Sequence, residues 1–412
     1  MRIAMLTFAV PWEERPTNGL YNIAQARALT SLGATTEVFS VAPKLPRVFG
    51  KLGGAVQRQL ARPDTYEFEG VRVHTVRAPA AFPKQIRERI APLWPDAVSR
   101  TFRHLTNGPL AAALDRFTPD ALLVHGMQPW GDFVTDYARK HGTRIVFIEH
   151  SQGDVMSITD GSAMHRFVER IGSSADSTFA VNAQMSERLE QLDVPRVLQV
   201  TNGVNTLADP PRRETAGEKP FRVLCAGAYY ARKGHRELLD GFARAGLVDA
   251  ELVLVGEPPR SIRQEISLRG LSDRVRWLPL LPNEALLEEM ARADLFALPS
   301  WSEAFGLVFM ESLGVGTPVL MTHDCGAARH IRHGEHGWIV PPRDPGAIAL
   351  ALQAAFRMPT EELRAMGQTG RRLVHQRFTW QQNAEVVLRT LGERRERPMP
   401  MGGPQRAEAL AS

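Results

Sequence analysis

Short apolar runs alternate with longer stretches in which apolar residues recur every three or four positions, and the alternation continues along most of the chain. Brief apolar or period-two runs read as strands, and the 3.6-residue spacing reads as amphipathic helices. In the first half, strands are predicted at Ile3–Thr7, Val38–Val41, Val71–Val76, Ala121–His125, Arg144–Glu149 and Thr178–Val181. Helices are predicted at Leu20–Leu32 (closed by Gly33), Leu110–Phe117, Phe133–Lys140, Met164–Ile171 and Gln184–Leu192. The pattern pauses over residues 205–220, where Asp209-Pro210-Pro211 and the Gly217–Pro220 stretch read as a linker. It restarts with strands at Phe221–Ala226, Glu251–Val255, Val275–Leu278, Leu295–Pro299, Pro318–Met321 and Trp338–Val340. A last helical pattern begins near Phe378 and Trp380 and runs to about Glu393. Strands alternating with helices predict parallel, doubly wound sheets, here two of them facing across a cleft. Such sheets bind ligands beyond the carboxyl ends of their strands.

Composition narrows the class. Apolar residues make up 43% and charged residues 23% of the 412, which excludes a disordered, collagenous or coiled-coil chain. The length allows two or three domains. Cys225 and Cys325 are the sole cysteines, too few for a disulfide framework or a thiolate metal cluster. No apolar run is long enough to span a bilayer, and Met1–Val10 reads as a buried strand, not a leader. A reducing cytoplasm is the simplest home.

The net charge of +5 is uneven. Residues 44–105 hold 12 Lys and Arg against 5 Asp and Glu, so the remainder is slightly acidic. Lys44, Arg47, Lys51, Arg58 and Arg62, then Lys84, Arg87, Arg89, Arg100 and Arg103, are interleaved with Leu, Ile, Phe and Trp. This reads as a basic amphipathic surface suited to anionic lipid headgroups, with a solvated helix face or an anionic acceptor as alternatives. No nucleic-acid motif accompanies the charge.

The strongest chemical signal is Ser300–Gly314, SWSEAFGLVFMESLG, after the apolar run that ends at Pro299. Ala304-Phe305-Gly306 reads as a small loop opening a helix, and a helix N-terminus offers free N–H groups to an anion or to hydroxyls. Glu311 lies inside that helix, where a carboxylate lacking donors would be costly. On chemistry alone, the plainer reading is Glu303 as a surface loop acid and Glu311 as a solvated helix residue.

The wider pattern resembles a known family. Glu303 and Glu311 flank seven residues, and Gly314, Gly316, Pro318 and Val319 follow. Gly227-Ala228-Tyr229-Tyr230-Ala231-Arg232-Lys233-Gly234 is similar to a phosphate-binding loop, Thr201-Asn202-Gly203-Val204-Asn205 to a turn before the linker, and Phe378-Thr379-Trp380 to the start of a final helix. Together they resemble the retaining glycosyltransferases of family 4, which have the GT-B fold of two Rossmann-like domains. The resemblance implies an acceptor-side domain over 1–205, a nucleotide-sugar domain over 206–377, and a helix at about 378–396 that packs back onto the first. The end of the chain, 397–412, reads as a disordered tail.

The resemblance also implies roles. Lys233 would neutralise the donor diphosphate, and Arg232 would stand in for an arginine that the family carries where this chain has Ala228. Glu311 would hold the ribose hydroxyls. Glu303 with Phe305, Gly306 and Leu307 would hold the donor sugar, which His150 reaches from the first domain, with His125 a weaker second candidate. Gly19 would let backbone approach the donor. Arg329 stands where the family has a glutamate. With no Asp-x-Asp pair and no His/Cys cluster at metal spacing, the leaving group would be stabilised by Lys233, Arg232 and helix N-termini with no divalent ion or other cofactor.

The implied activity is transfer of a sugar from a nucleoside-diphosphate-sugar donor to a hydroxyl of a glycan or lipid-linked acceptor, in cell-envelope polysaccharide or glycolipid synthesis. It would take place in the cytoplasm, at the inner face of the cytoplasmic membrane. Two alternatives stay open at this point. One is a sugar phosphorylase on the same scaffold, and the other is a nucleotide-sugar-binding or assembly subunit without turnover.

Overall fold

The computed structural model describes residues 1–13, 18–44, 61–79, 90–211 and 220–393. The first half builds an eight-stranded sheet from β1 (Arg2–Leu6), β2 (Thr35–Pro43), β3 (Thr65–Phe68), β4 (Val71–Ala78), β5 (Ala121–His125), β6 (Arg144–Glu149), β7 (Ser177–Ala180) and β8 (Val197–Gln199), in the order β3-β4-β2-β1-β5-β6-β7-β8. Every pairing is parallel except β3 with β4. The second half builds a six-stranded parallel sheet from β9 (Phe221–Ala226), β10 (Ala250–Val255), β11 (Val275–Leu278), β12 (Leu295–Ala297), β13 (Val319–Thr322) and β14 (Gly337–Val340), in the order β11-β10-β9-β12-β13-β14.

The central strands are apolar on both faces because helices cover both. Ile3, Met5, Leu122, Phe147, Leu224, Val253 and Phe296 are all fully or almost fully buried. The covering helices of the first half are α1 (Leu20–Ser31), α2 (Pro95–Phe117), α3 (Gly131–His141), α4 (Gln152–Met156), α5 (Ala163–Ser173) and α6 (Ala183–Gln191). Those of the second are α7 (His235–Ala245), α8 (Arg260–Leu268), α9 (Asn283–Arg292), α10 (Leu307–Gly314), α11 (Pro345–Arg357), α12 (Thr360–Arg377) and α13 (Trp380–Gly392).

Each sheet reverses its winding once, between β1 and β5 in the first and between β9 and β12 in the second. The loops leaving adjacent strands diverge there and open a crevice. The β1, β5 and β6 loops carry Gly19, His125 and His150, and the β9 and β12 loops carry Lys233 and Glu303.

The last helix returns to the first half. Gln25 Nε2 on α1 donates to Asn383 Oδ1 on α13 at 2.7 Å, and Asn383 Nδ2 donates to the carbonyl of Thr201 at 2.9 Å. Val204 N donates to Phe378 O at 2.9 Å, and a Cβ on Gly203 would stand 2.4 Å from Trp380 N. Thr379 and Gln382 form a capping box that starts the helix at this crossing.

Several elements differ from the pattern reading. The helix expected at Leu110–Phe117 begins at Pro95 and carries Pro109 inside it. The Thr106-Asn107-Gly108-Pro109 step looks like a turn, but buried Val98, Phe102, Thr106, Leu110 and Leu114 keep one face continuous. β3 and β8 span four and three residues and neither buries one of them, so no apolar run announced them. The expected tail (397–412) and half of the expected linker (212–219) lie outside the described residues.

Candidate functional site

A cavity of about 480 Å³ lies between the two sheets. Gly19, His150, Lys233, Glu303, Phe305, Gly306, Leu307 and Glu311 all line it, so residues far apart in the chain meet in one place. Arg232 does not line it.

The cationic side is built by the loop after β9. Ala231–Lys233 makes one 3₁₀ turn, and Gly234 then takes a left-handed conformation, φ 72°. A Cβ there would stand 2.2 Å from the Pro299 carbonyl, so glycine alone lets this loop lie against the loop after β12. Trp301 N donates to Arg232 O at 2.7 Å and ties the two loops together. Lys233 Nζ is held 2.5 Å from Glu303 Oε1, with 16% and 12% of the two side chains exposed. Arg232 reaches the same carboxylate from the solvent side. Its Nη1 donates to the Ser302 carbonyl at 3.2 Å and stands 3.5 Å from Glu303 Oε2.

Beneath Lys233, the buried His235 packs its ring 4.5 Å from that of Tyr229. Burial first, and Lys233 second, push its pKa down to about 4. Lys233 therefore has an anionic neighbour on one side and a neutral one on the other.

α10 begins at Gly306, also left-handed at φ 89°, with no side-chain cap and no acid in its first turn. Its N-terminal dipole is thus uncompensated by its own side chains at the cavity. Glu311 follows within the helix. Its Oε1 accepts from Asn283 Nδ2 at 3.0 Å, and Asn283 Oδ1 accepts from Asn205 Nδ2 at 3.1 Å. Burial raises the Glu311 pKa, and the Asn283 bond works against that rise. The amide chain aims one carboxylate oxygen and leaves the other for a ligand hydroxyl.

The first half contributes different chemistry. Gly19 starts α1 at φ 71°, and a Cβ there would stand 2.2 Å from the Ala9 carbonyl. Backbone therefore forms this wall. His150, just past β6, sits beside the Tyr21 ring, centroids 5.2 Å apart. Its Nε2 lies 2.8 Å from Nδ1 of His125, and the two rings are within 6° of parallel. Burial pushes the His150 pKa down to about 4 and that of His125 well below its usual value, so both imidazoles are neutral near pH 7. Glu149, next in the chain, accepts from Met127 N at 2.7 Å, and burial still drives its pKa up to about 7.

The halves touch near the cavity. Asn182 Nδ2 bonds to the Ala304 carbonyl and also donates to Gln152 Oε1 at 3.2 Å. Arg329, in the place of the family glutamate, does not line the cavity. Its Nη1 lies 3.4 Å from Glu187 Oε1 of the first half, with both side chains exposed. Asn283, Asn182 and Tyr21 were missed in the sequence, where an isolated amide or ring carries no periodic signal.

The expected basic surface does not run unbroken through 44–105. Residues 45–60 and 80–89 lie outside the described residues. Arg62 is a correction, because it is 3% exposed with its guanidinium over the Trp12 ring. Arg103 pairs with Asp136, and Phe102 is buried. Leu93 and Trp94 are exposed, at 63% and 64%. Among the described residues no helix is long and apolar enough to cross a membrane.

The model of the glycosyl transferases group 1 matches residues 209–373, and that of the glycosyl transferase 4-like domain matches residues 21–203. The chain is 27% identical over 392 residues to a D-inositol 3-phosphate glycosyltransferase of Jonesia denitrificans, covering 80% of this chain and 92% of that one. It is 27% identical over 313 residues to a GDP-mannose-dependent alpha-(1-6)-phosphatidylinositol dimannoside mannosyltransferase of Mycobacterium tuberculosis, covering 71% of this chain and 78% of that one. Among solved structures, sucrose-phosphate synthase from Thermosynechococcus elongatus superposes with a TM-score of 0.72 at 20% identity, over 94% of this chain and 97% of that one. HepE of Anabaena, solved in complex with UDP-glucose, gives 0.64 at 15%, over 95% and 99%. At these identities the superpositions speak to the fold alone.

Proposed function

The chain belongs to the family 4 glycosyltransferases, and from that premise we propose that it moves a sugar from a nucleoside-diphosphate-sugar donor to an acceptor hydroxyl, with retention, in the cavity between its sheets. One observation carries the reading: the Lys233–Glu303 pair, Glu311 and the open N-terminus of α10 converge on a single cavity. The diphosphate would take Lys233, with Arg232 turning in from the rim. The ribose hydroxyls would donate to the free oxygen of Glu311. Glu303, released from Lys233, would share the sugar with His150 and the backbone of Phe305, Gly306 and Leu307. Developing charge on the leaving diphosphate is then met by a cation and a helix dipole in a partly desolvated site, with no divalent ion required. In the front-face course, the acceptor oxygen bonds to the anomeric carbon as the bond to the phosphate oxygen breaks. The acceptor proton passes to that phosphate oxygen, so no protein nucleophile is needed.

The relatives support an acceptor of the inositol or glycolipid kind, since one is named for inositol phosphate and the other for phosphatidylinositol dimannoside. The exposed Leu93–Trp94 step at the start of α2 supports presentation of that acceptor at a membrane surface.

The test is thermal unfolding with UDP, GDP, ADP and their common sugars, in EDTA, for the wild type and Glu311→Ala. A nucleotide at about 100 times its Kd adds about 2.7 kcal/mol of stability. One nucleotide is expected to raise the melting temperature of the wild type and to leave the variant unmoved. Equal stabilisation of both would overturn the assignment of Glu311, and stabilisation only with magnesium would overturn metal independence.

A further inference from the structure

His125 has no part in the scheme above, and it does not line the cavity. Yet its ring is nearly coplanar with that of His150 and bonded to it at 2.8 Å. Two neutral imidazoles joined in this way share one hydrogen bond, and either ring could donate. The remaining nitrogens decide between the two arrangements.

Nε2 of His125 is buried and has no hydrogen-bond partner among the described residues. If His150 donates, neutral His125 must carry its proton on that nitrogen, leaving a buried N–H without an acceptor. If His125 donates through Nδ1, the same nitrogen holds only a lone pair. An orphaned buried N–H is the rarer and costlier outcome. Nδ1 of His150 bonds to nothing among the described residues and is not among the buried orphaned atoms, on a residue that lines the cavity.

We propose that His125 is a positioning residue: its Nδ1–H donates to Nε2 of His150, which fixes His150 in the Nδ1–H tautomer and makes it a hydrogen-bond donor toward the donor sugar. The inference rests on the reading of the cavity as the sugar site, but the tautomer itself does not. A second-sphere partner that sets an imidazole's tautomer acts through the ring it holds. His125 here does for a sugar-facing histidine what such partners do for metal-bound ones.

The experiment has two readouts. Long-range ¹H–¹⁵N correlation spectra of the wild-type imidazoles, assigned with His125→Asn and His125→Phe, report which nitrogen of His150 bears the proton. The expected result is Nδ1–H in the wild type and in His125→Asn, whose amide keeps a donor near the same place. In His125→Phe, which keeps the ring packing, the preference is expected to be lost. Steady-state kinetics with the donor found by thermal unfolding should show a fall in kcat/KM of about 10–100-fold for His125→Phe, recovered for the most part in His125→Asn. An Nε2–H tautomer in the wild type overturns the proposal even if no variant folds. Unchanged kcat/KM in a folded His125→Phe overturns it too. A chain that holds the Nδ1–H tautomer but transfers no sugar would refute the sugar-site reading and leave the tautomer assignment standing.

Discussion

The two walls of the cavity are built from opposite chemistry. On the second-half wall the working groups include an ion pair. Lys233 and Glu303 are paired at 2.5 Å, with Arg232 at their rim and Glu311 held by an amide. On the first-half wall the groups are neutral. His150 is deprotonated by burial and Gly19 offers only backbone, while behind them His125 is deprotonated too and Glu149 is pushed toward its acid form. A nucleoside-diphosphate sugar has the same polarity along its length, with charge at the diphosphate and neutral hydroxyls on the sugar. The wall with permanent charges suits one end and the wall with hydrogen-bonding dipoles suits the other. A cation opposite the sugar would gain nothing there and would still cost desolvation.

The contrast can be broken most sharply at Lys233. Lys233→Ala removes the half-buried cation that lines the cavity and leaves Glu303 without its near partner. It is expected to lower kcat/KM by about 10²–10³-fold, as loss of a single charge-stabilising donor does, in initial-rate assays over a range of donor concentrations. A variant within twofold of the wild type would remove the charged wall from the argument.

Gly19→Ala tests the backbone wall. A methyl 2.2 Å from the Ala9 carbonyl at positive φ must push the β1–α1 loop aside. The expected cost is about 1–3 kcal/mol in chemical denaturation, with weaker donor stabilisation in the same preparation. A silent substitution would mean the loop yields freely and does not shape the cavity.

Glu149→Gln sharpens the claim of neutrality. The folded carboxyl titrates at about 7, above its ordinary value of 4.5. Between those values the folded state binds the proton more tightly than the unfolded state does. The stability this contributes is complete below about pH 4.5 and is lost as pH rises through about 7. Glutamine keeps an oxygen for Met127 N and never ionises. The melting temperature of the variant relative to the wild type is therefore expected to be higher at pH 8 than at pH 5. A difference independent of pH would show that Glu149 is ionised throughout.

The smallest effect is expected at the bridge between the halves. Arg329→Ala removes an ion pair whose side chains are about half exposed, 50% and 60%. Such pairs contribute about 0–1 kcal/mol. Thermal unfolding should scarcely move, and kcat/KM should stay within about twofold. A large loss would give the Arg329–Glu187 contact a part in turnover.

Much of this was legible in the sequence, for reasons that differ by residue. β5 and β6 were bounded to the residue because buried parallel strands are unbroken apolar runs between polar ends, and β9 and β11 were bounded too although Arg222 and Arg276 interrupt them. Gly306 and Gly234 could be placed because a left-handed turn with no room for a Cβ admits almost nothing else. The Asn205–Asn283–Glu311 chain could not be read, since polar residues from one loop and two helices meet only after folding. Arg62 misled in the other direction. Charge says surface, but the flat guanidinium packs over Trp12 and remains buried. The start of α2 was placed at Leu110 and not at Pro95, because burial of a long helix face carries the helix through Pro109.

The return of α13 to the first sheet also sets an order of assembly. The ribosome delivers Trp380–Gly392 after every strand of both sheets, yet Gln25 on α1 finds its partner in Asn383. Until then the first-half helix emerges with a buried amide unsatisfied and the Gly203 turn uncovered. A nascent chain stopped short of residue 380 would hold a complete second sheet beside an unfinished first one. The half made first is therefore completed late, when α13 packs back onto it.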